Sequence, residues 1–87
     1  MSEKALDVSG LEPPEPRDRI VAALDQLPPG RYLRVLHHRE PLLLYPWLQE
    51  QGYAWHTQAG RTTAFEIFIW RAADTTAATA AAGMFKP

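Results

Sequence analysis

Cysteine is absent from the chain, and with it go disulfides, thiolate nucleophiles and thiolate metal ligands. Serine is scarce: Ser2 and Ser9 are the only two, one in the N-terminal arm and one in the first turn. No Ser-His-acid order falls on a rigid element, so the chain is read as a non-enzyme. No apolar run approaches the roughly 20 residues that span a bilayer. The opening "MSEKALDVSG" lacks a basic region followed by an apolar one, so no signal peptide is expected and cytoplasmic residence is the default. Net positive charge is also missing. At a formal charge of -1 and a pI near 6.3, no global field gathers nucleic acid or anionic lipid.

What is present bounds the fold. Eighty-seven residues make one small domain, because a chain this short buries only about 60 to 65% of its unfolded surface and cannot divide its core. Residues 1–71 are assigned to that domain and 72–87 to an Ala/Thr-rich tail. With 46% apolar and 22% charged residues, the balance is that of an ordinary globule.

Elements alternate along the chain. "KALDV" places Leu6 and Val8 on one face of a short strand that Ser9-Gly10 stops. From Pro14, Ile20, Leu24 and Leu27 recur at helical spacing until "PPG" at 28–30 ends the helix. "RYLRVLHH" is a second strand. Pro46, with no N–H to donate, argues against one straight helix from Pro41, so the spacing predicts a turn at 41–45, a helix from near Pro46 and a stop at Gly52. "YAWHT" and "TAFEIFIWR" are strands joined by "QAGRT". The order is βαβαββ. Beyond Arg71 the tail is either frayed or a short helix capped by Asp74 and ended by Gly83.

"LDVSGLEPPEP" at 6–16, "LPPGRYLRVLHHREP" at 27–41 and "LYPWLQEQGYAW" at 44–55 resemble the sulfur-carrier superfamily of TusA and SirA, and in particular its cysteine-less branch, domain of unknown function 2249. The resemblance spans about 5–71. It implies an α+β, two-layer α/β sandwich with a four-stranded mixed sheet in order 1-2-4-3 and two helices on one face. It also implies a link to sulfur, redox or respiratory metabolism. Sulfur carriers of this superfamily show Cys-Pro-Glu-Pro at the first turn, where the helix N-terminus favours thiolate. Here Pro13 holds the cysteine's place while Pro14, Glu15 and Pro16 match the rest. Proline cannot carry sulfur, so persulfide transfer through this turn is excluded.

Two loops offer candidate ligand or anion contacts. The turn brings Glu12, Pro13 and Glu15 to a helix N-terminus, although Pro14 and Pro16 each delete an N–H and the glutamates add negative charge. The simpler reading is a helix start that complements its own dipole. His37, His38 and Arg39 follow the second strand, at the edge where open α/β sheets usually bind ligands. Adjacent residues on a strand point to opposite faces, so the two histidines cannot share an ion unless the strand has ended. A polar loop with Arg39 and Glu40 paired in solvent is the bland alternative. No metal site and no cofactor is assigned.

Alternation sends Leu33, Val35, Phe65, Ile67 and Ile69 toward the helices. It sends Tyr32, Arg34, Leu36, Glu66, Phe68 and Trp70, with Tyr53 or Trp55, to the opposite face. Tyr32, Arg34, Leu36, Phe68 and Trp70 then form an aromatic patch with the composition of an interface centre, open to a protein partner or a homodimer. The other outcomes are cover by Met84 and Phe85 of the tail, or a plain exposed face. An aromatic sheet also stacks bases in RNA-recognition domains, but Glu66 and the overall charge supply no basic groove, so nucleic acid is not expected. The reading is a non-catalytic binding module for a protein partner or a small ligand. The alternative is a metal, haem or anion sensor built on His37, His38 and Arg39.

Overall fold

The computed structural model describes residues 3–86, so Ser2 lies outside it. Strand β1 (Glu3–Asp7) runs parallel to β2 (Tyr32–His37), with Leu6 opposite Val35. Strand β4 (Phe65–Arg71) is antiparallel to β2, with Val35 opposite Ile67, and β3 (Tyr53–Ala59) is antiparallel to β4. The sheet is mixed and ordered β1-β2-β4-β3, the α+β architecture expected.

Helix α1 (Glu15–Asp25) carries β1 across to β2. Pro16 stands in its first turn beside Glu15 and Asp18, which suit the N-terminal dipole. Ile20 and Leu24, four residues apart, lie on its buried stripe with Leu27 just beyond. The chain turns back at Gly30, whose φ of +80° is natural only to glycine. Helix α2 (Leu44–Glu50) begins two residues ahead of Pro46. Pro46 is therefore a first-turn residue, where an N–H would have no intrahelical partner to lose. Both helices pack on one face of the sheet, where Leu33, Val35, Ile67 and Ile69 join Ile20, Leu24, Leu44 and Leu48 in the main core.

That face also takes Tyr53 and Trp55, which corrects the sequence reading. Trp55 lies directly opposite Ile69 in the ladder, and directly opposed residues share a face. Tyr53 stacks with Trp47, and Trp55 with Tyr45, at centroid separations of 6.1 and 5.1 Å. The face of β3 away from the helices presents Ala54, His56 and Gln58 instead.

The tail forms a third helix, α3 (Thr75–Ala82), with Asp74 as its N-cap and Gly83 behind it. One Asp74 oxygen accepts the Ala77 N–H at 3.0 Å and the other accepts the Gly30 N–H at 2.7 Å. This carboxylate thus fastens the helix to the turn before β2, and the bonds hold it below the usual carboxylate range. α3 lies over the sheet face opposite α1 and α2, packing the fully buried Ala81 against Tyr32 and Phe68, with Ala80, Trp70 and Phe85 around them. Lys86 extends the strap: its N–H donates to Gln58 Oε1 at 2.9 Å and its Nζ to the Ala59 carbonyl at 2.7 Å.

The expected open aromatic face is corrected accordingly. Tyr32 and Phe68 are 3% and 1% exposed, Trp70 is half-buried against Phe85, and Phe85 stacks on His56 with centroids 3.9 Å apart. The physical reason lies in the sheet. The tail brings few large side chains, but the sheet's own aromatics supply the apolar area, and alanines on the inner stripe of α3 let it approach closely. Arg34 and Leu36 on the same face are half-buried. The Arg34 Nε donates to Glu66 Oε2 at 2.8 Å, and its other end faces Glu3 Oε2 at 3.8 Å. Tyr32 donates to Glu3 at 2.9 Å, and burial with that carboxylate beside it pushes the phenol up to about 12.

Candidate functional site

A cleft of about 360 Å³ opens where the parallel strands end, between the turn entering α1 and the loop leaving β2. Its walls come from three successive pieces of chain. Pro13, Pro14, Pro16 and Arg17 supply one side, His37, His38 and Arg39 the floor and corner, and Pro41 with Leu42, Leu43 and Leu44 the other side. Four prolines hold the walls without offering a backbone donor, and the surface facing the cleft is almost entirely carbon.

The end of β2 decides the geometry of the histidines. Because the strand stops at His37, His38 is not forced to the opposite face, and the two rings lie with centroids 5.2 Å apart. His37 is 5% exposed. Its Nδ1 accepts the Arg39 backbone N–H at 3.2 Å, which closes the turn and leaves Nε2 to carry the proton of the neutral ring. Burial first, then the neighbouring His38 and Arg39, lowers its pKa from the ordinary histidine value. These surroundings favour the neutral ring.

Arg39 does not pair with Glu40. The Glu40 carboxylate accepts instead from the Tyr45 hydroxyl at 3.0 Å, and that hydroxyl also meets Thr57 Oγ1 at 2.6 Å. Tyr45 is buried enough that its phenol is pushed up to about 12. Among the described residues Arg39 has no carboxylate within ion-pair distance, and it stands exposed at the cleft. Arg17, which borders the same cleft, lies with its guanidinium 5.8 Å from the Trp47 ring centre.

The six residues singled out in the two loops divide. Pro13, His37, His38 and Arg39 meet at the cleft, whereas Glu12 and Glu15 are exposed outside it. Glu15 faces Arg19 at 3.9 Å. The α1 N-terminus is a poor anion site in itself: Pro16 has no N–H, and the N–H groups of Glu15 and Asp18 bond to the carbonyls of Glu12 and Pro14. No three His, Asp or Glu side chains among the described residues come together as a metal site would require.

The chain belongs to the DUF2249 family of uncharacterized conserved proteins. That family's model matches residues 5–71. No curated protein and no solved structure was found to match. Every wall of the cleft, from Pro13 to Leu44, lies inside the DUF2249 stretch, and α3 lies beyond it. No helix among the described residues is long and apolar enough to cross a membrane.

Within this DUF2249 chain, sequence reasoning missed the leucine wall. Leu42 and Leu43 are 63% and 88% exposed, which helical periodicity cannot signal in a segment of one turn. The available cue was the apolar run "PLLLYP", placed between the charged loop and Pro46. Arg17 was also missed, because the helix pattern assigns it only to a solvent face.

Proposed function

We propose that this chain is a non-catalytic binding module and that the cleft between the α1 turn and the β2 loop is its site. One observation carries the reading: an apolar concavity of about 360 Å³ stands at the carboxyl ends of the parallel strands, the usual ligand position in open α/β sheets and within the usual size of small-molecule sites. Its lining contains no serine, threonine, lysine or carboxylate, so it supplies grip without an evident nucleophile-base pair. The resemblance to sulfur carriers supports the same place, since Pro13 occupies the position of their cysteine and lines this cleft. On that resemblance the module belongs to sulfur, redox or respiratory metabolism, with its reactive atom replaced by a wall.

The metal and haem forms of the sensor reading have less support, because His37 Nδ1 is already engaged by Arg39 and no third ligand stands beside the pair. The test is an amide NMR titration with small neutral apolar fragments such as indole. Saturable shifts should cluster at Arg17, His38, Arg39, Leu43 and Leu44. Shifts confined to the sheet face or scattered over the chain would reject the site.

A further inference from the structure

The cleft is one-sided in charge. Every ionisable side chain that lines it is basic or an imidazole: Arg17, His37, His38 and Arg39. This asymmetry stands on a chain whose formal charge is -1, so it is not a reflection of overall composition. Two acidic neighbours are held elsewhere, Glu40 by Tyr45 and Glu15 toward Arg19, and Glu12 and Asp18 are exposed outside the lining. Arg39 is left exposed, with no carboxylate in ion-pair reach among the described residues. Inside that cationic edge the wall is carbon, from Pro13, Pro16, Pro41 and Leu44.

We propose that the ligand is a small amphipathic anion, an organic acid whose apolar body fills the cleft while its single negative group meets Arg39 and His38 at the rim. The proposal rests on the cleft being the binding site and adds the chemical class. A neutral apolar ligand would gain only the carbon wall. A cation of the same shape would meet like charge at Arg39 and Arg17, which disfavours it. Arg17 contributes to the potential around the cleft, since its guanidinium is already placed against Trp47. Arg39 is the group placed to form a charge-assisted hydrogen bond with a carboxylate. The cleft volume suits a chain or ring of modest size rather than a macromolecular segment.

The experiment compares three probes of matched body: hexanoate, hexan-1-ol and hexylammonium, each titrated into the full chain at low salt and followed by amide shifts at residues 17, 38, 39, 43 and 44. Hexanoate is expected to bind about five- to tenfold more tightly than hexan-1-ol, the size of one or two exposed charge contacts, and hexylammonium least tightly. Arg39→Gln should bring hexanoate toward the hexan-1-ol value measured on the same variant. Added sodium chloride should do the same to the parent chain, a control that does not depend on any variant folding. Equal binding of hexanoate and hexan-1-ol at the cleft overturns the anion inference and leaves the binding site standing. Failure of all three probes to move the cleft resonances overturns both.

Discussion

At position 13 stands a proline, where the resemblance to sulfur carriers would put a cysteine, and its surroundings say how a thiol there would behave. Pro13 is exposed, and shares its cleft with Arg17, His38 and Arg39. A cationic edge of this kind stabilises thiolate over thiol. Pro13→Cys should therefore give a folded protein whose thiol titrates below the ordinary value of about 8.5, measured by the pH dependence of alkylation; an ordinary titration would show that the edge exerts no useful field at that point. His37 makes a second residue-scale prediction. Its folded pKa is lowered, by burial first and then by His38 and Arg39. The unfolded chain then takes up a proton before the folded one as pH falls below about 6.5, and stability declines with acid across that interval. No stability is lost on this account above it, where the ring is neutral in both states. Urea denaturation of the parent and His37→Gln between neutral and mildly acid pH should show a shallower decline in the variant.

The elements repay comparison with their sequence signals, because each success and failure has a physical cause. Strand faces on β2 and β4 were legible from alternation, since Leu33, Val35, Ile67 and Ile69 do enter the main core. The face of β3 was not, because "YAWHT" puts Tyr53 and Trp55 on one side and Ala54 and His56 on the other, and which side meets the helices is set by the ladder with β4, a long-range fact. The loop histidines were found because a strand end is local, but the leucine wall opposite them was not, because its role depends on where α1 lands. The tail left two readings, and α3 forms because Asp74 caps its own helix and fastens the distant Gly30 at once. Asp74→Ala removes both bonds, so it should lower the melting temperature and speed hydrogen exchange in α3 more than in α1; equal exchange in the two helices would contradict this anchoring role. Across the sheet, Glu66 is 4% exposed and held below the usual carboxylate range by its bond to Arg34. A depressed carboxylate stabilises the fold above its unfolded pKa, and the benefit is lost as pH falls through the folded value. Glu66→Gln should cost about 1 to 3 kcal/mol near neutrality and flatten that acid-side loss, as read from chemical denaturation across pH.

On the scale of the whole molecule, the sheet is covered twice by different means. α1 and α2 supply large aliphatic side chains to one face, whereas α3 and Phe85 lie as a strap over aromatics that belong to the sheet. No residue of α3 belongs to the main core, so a chain ending at Ala73 should keep its sheet and two helices. It should also uncover Tyr32, Phe68 and Trp70, and sedimentation should report stronger self-association than in the full chain. Circular dichroism checks that the shortened chain folds; a folded, non-associating product would show that this face is not adhesive. The charge beneath the strap bears on synthesis as well. Arg34 is joined to Glu3 from the first strand and to Glu66 from the last, and these partners leave the ribosome far apart in time. A nascent chain that has made β1 and β2 can offer Arg34 only Glu3, at 3.8 Å. Its 2.8 Å bond waits for a residue 32 positions downstream. The guanidinium is thus half-matched while the 32 residues up to Glu66 are made, and its shorter ion pair closes only when the final strand enters between β2 and β3.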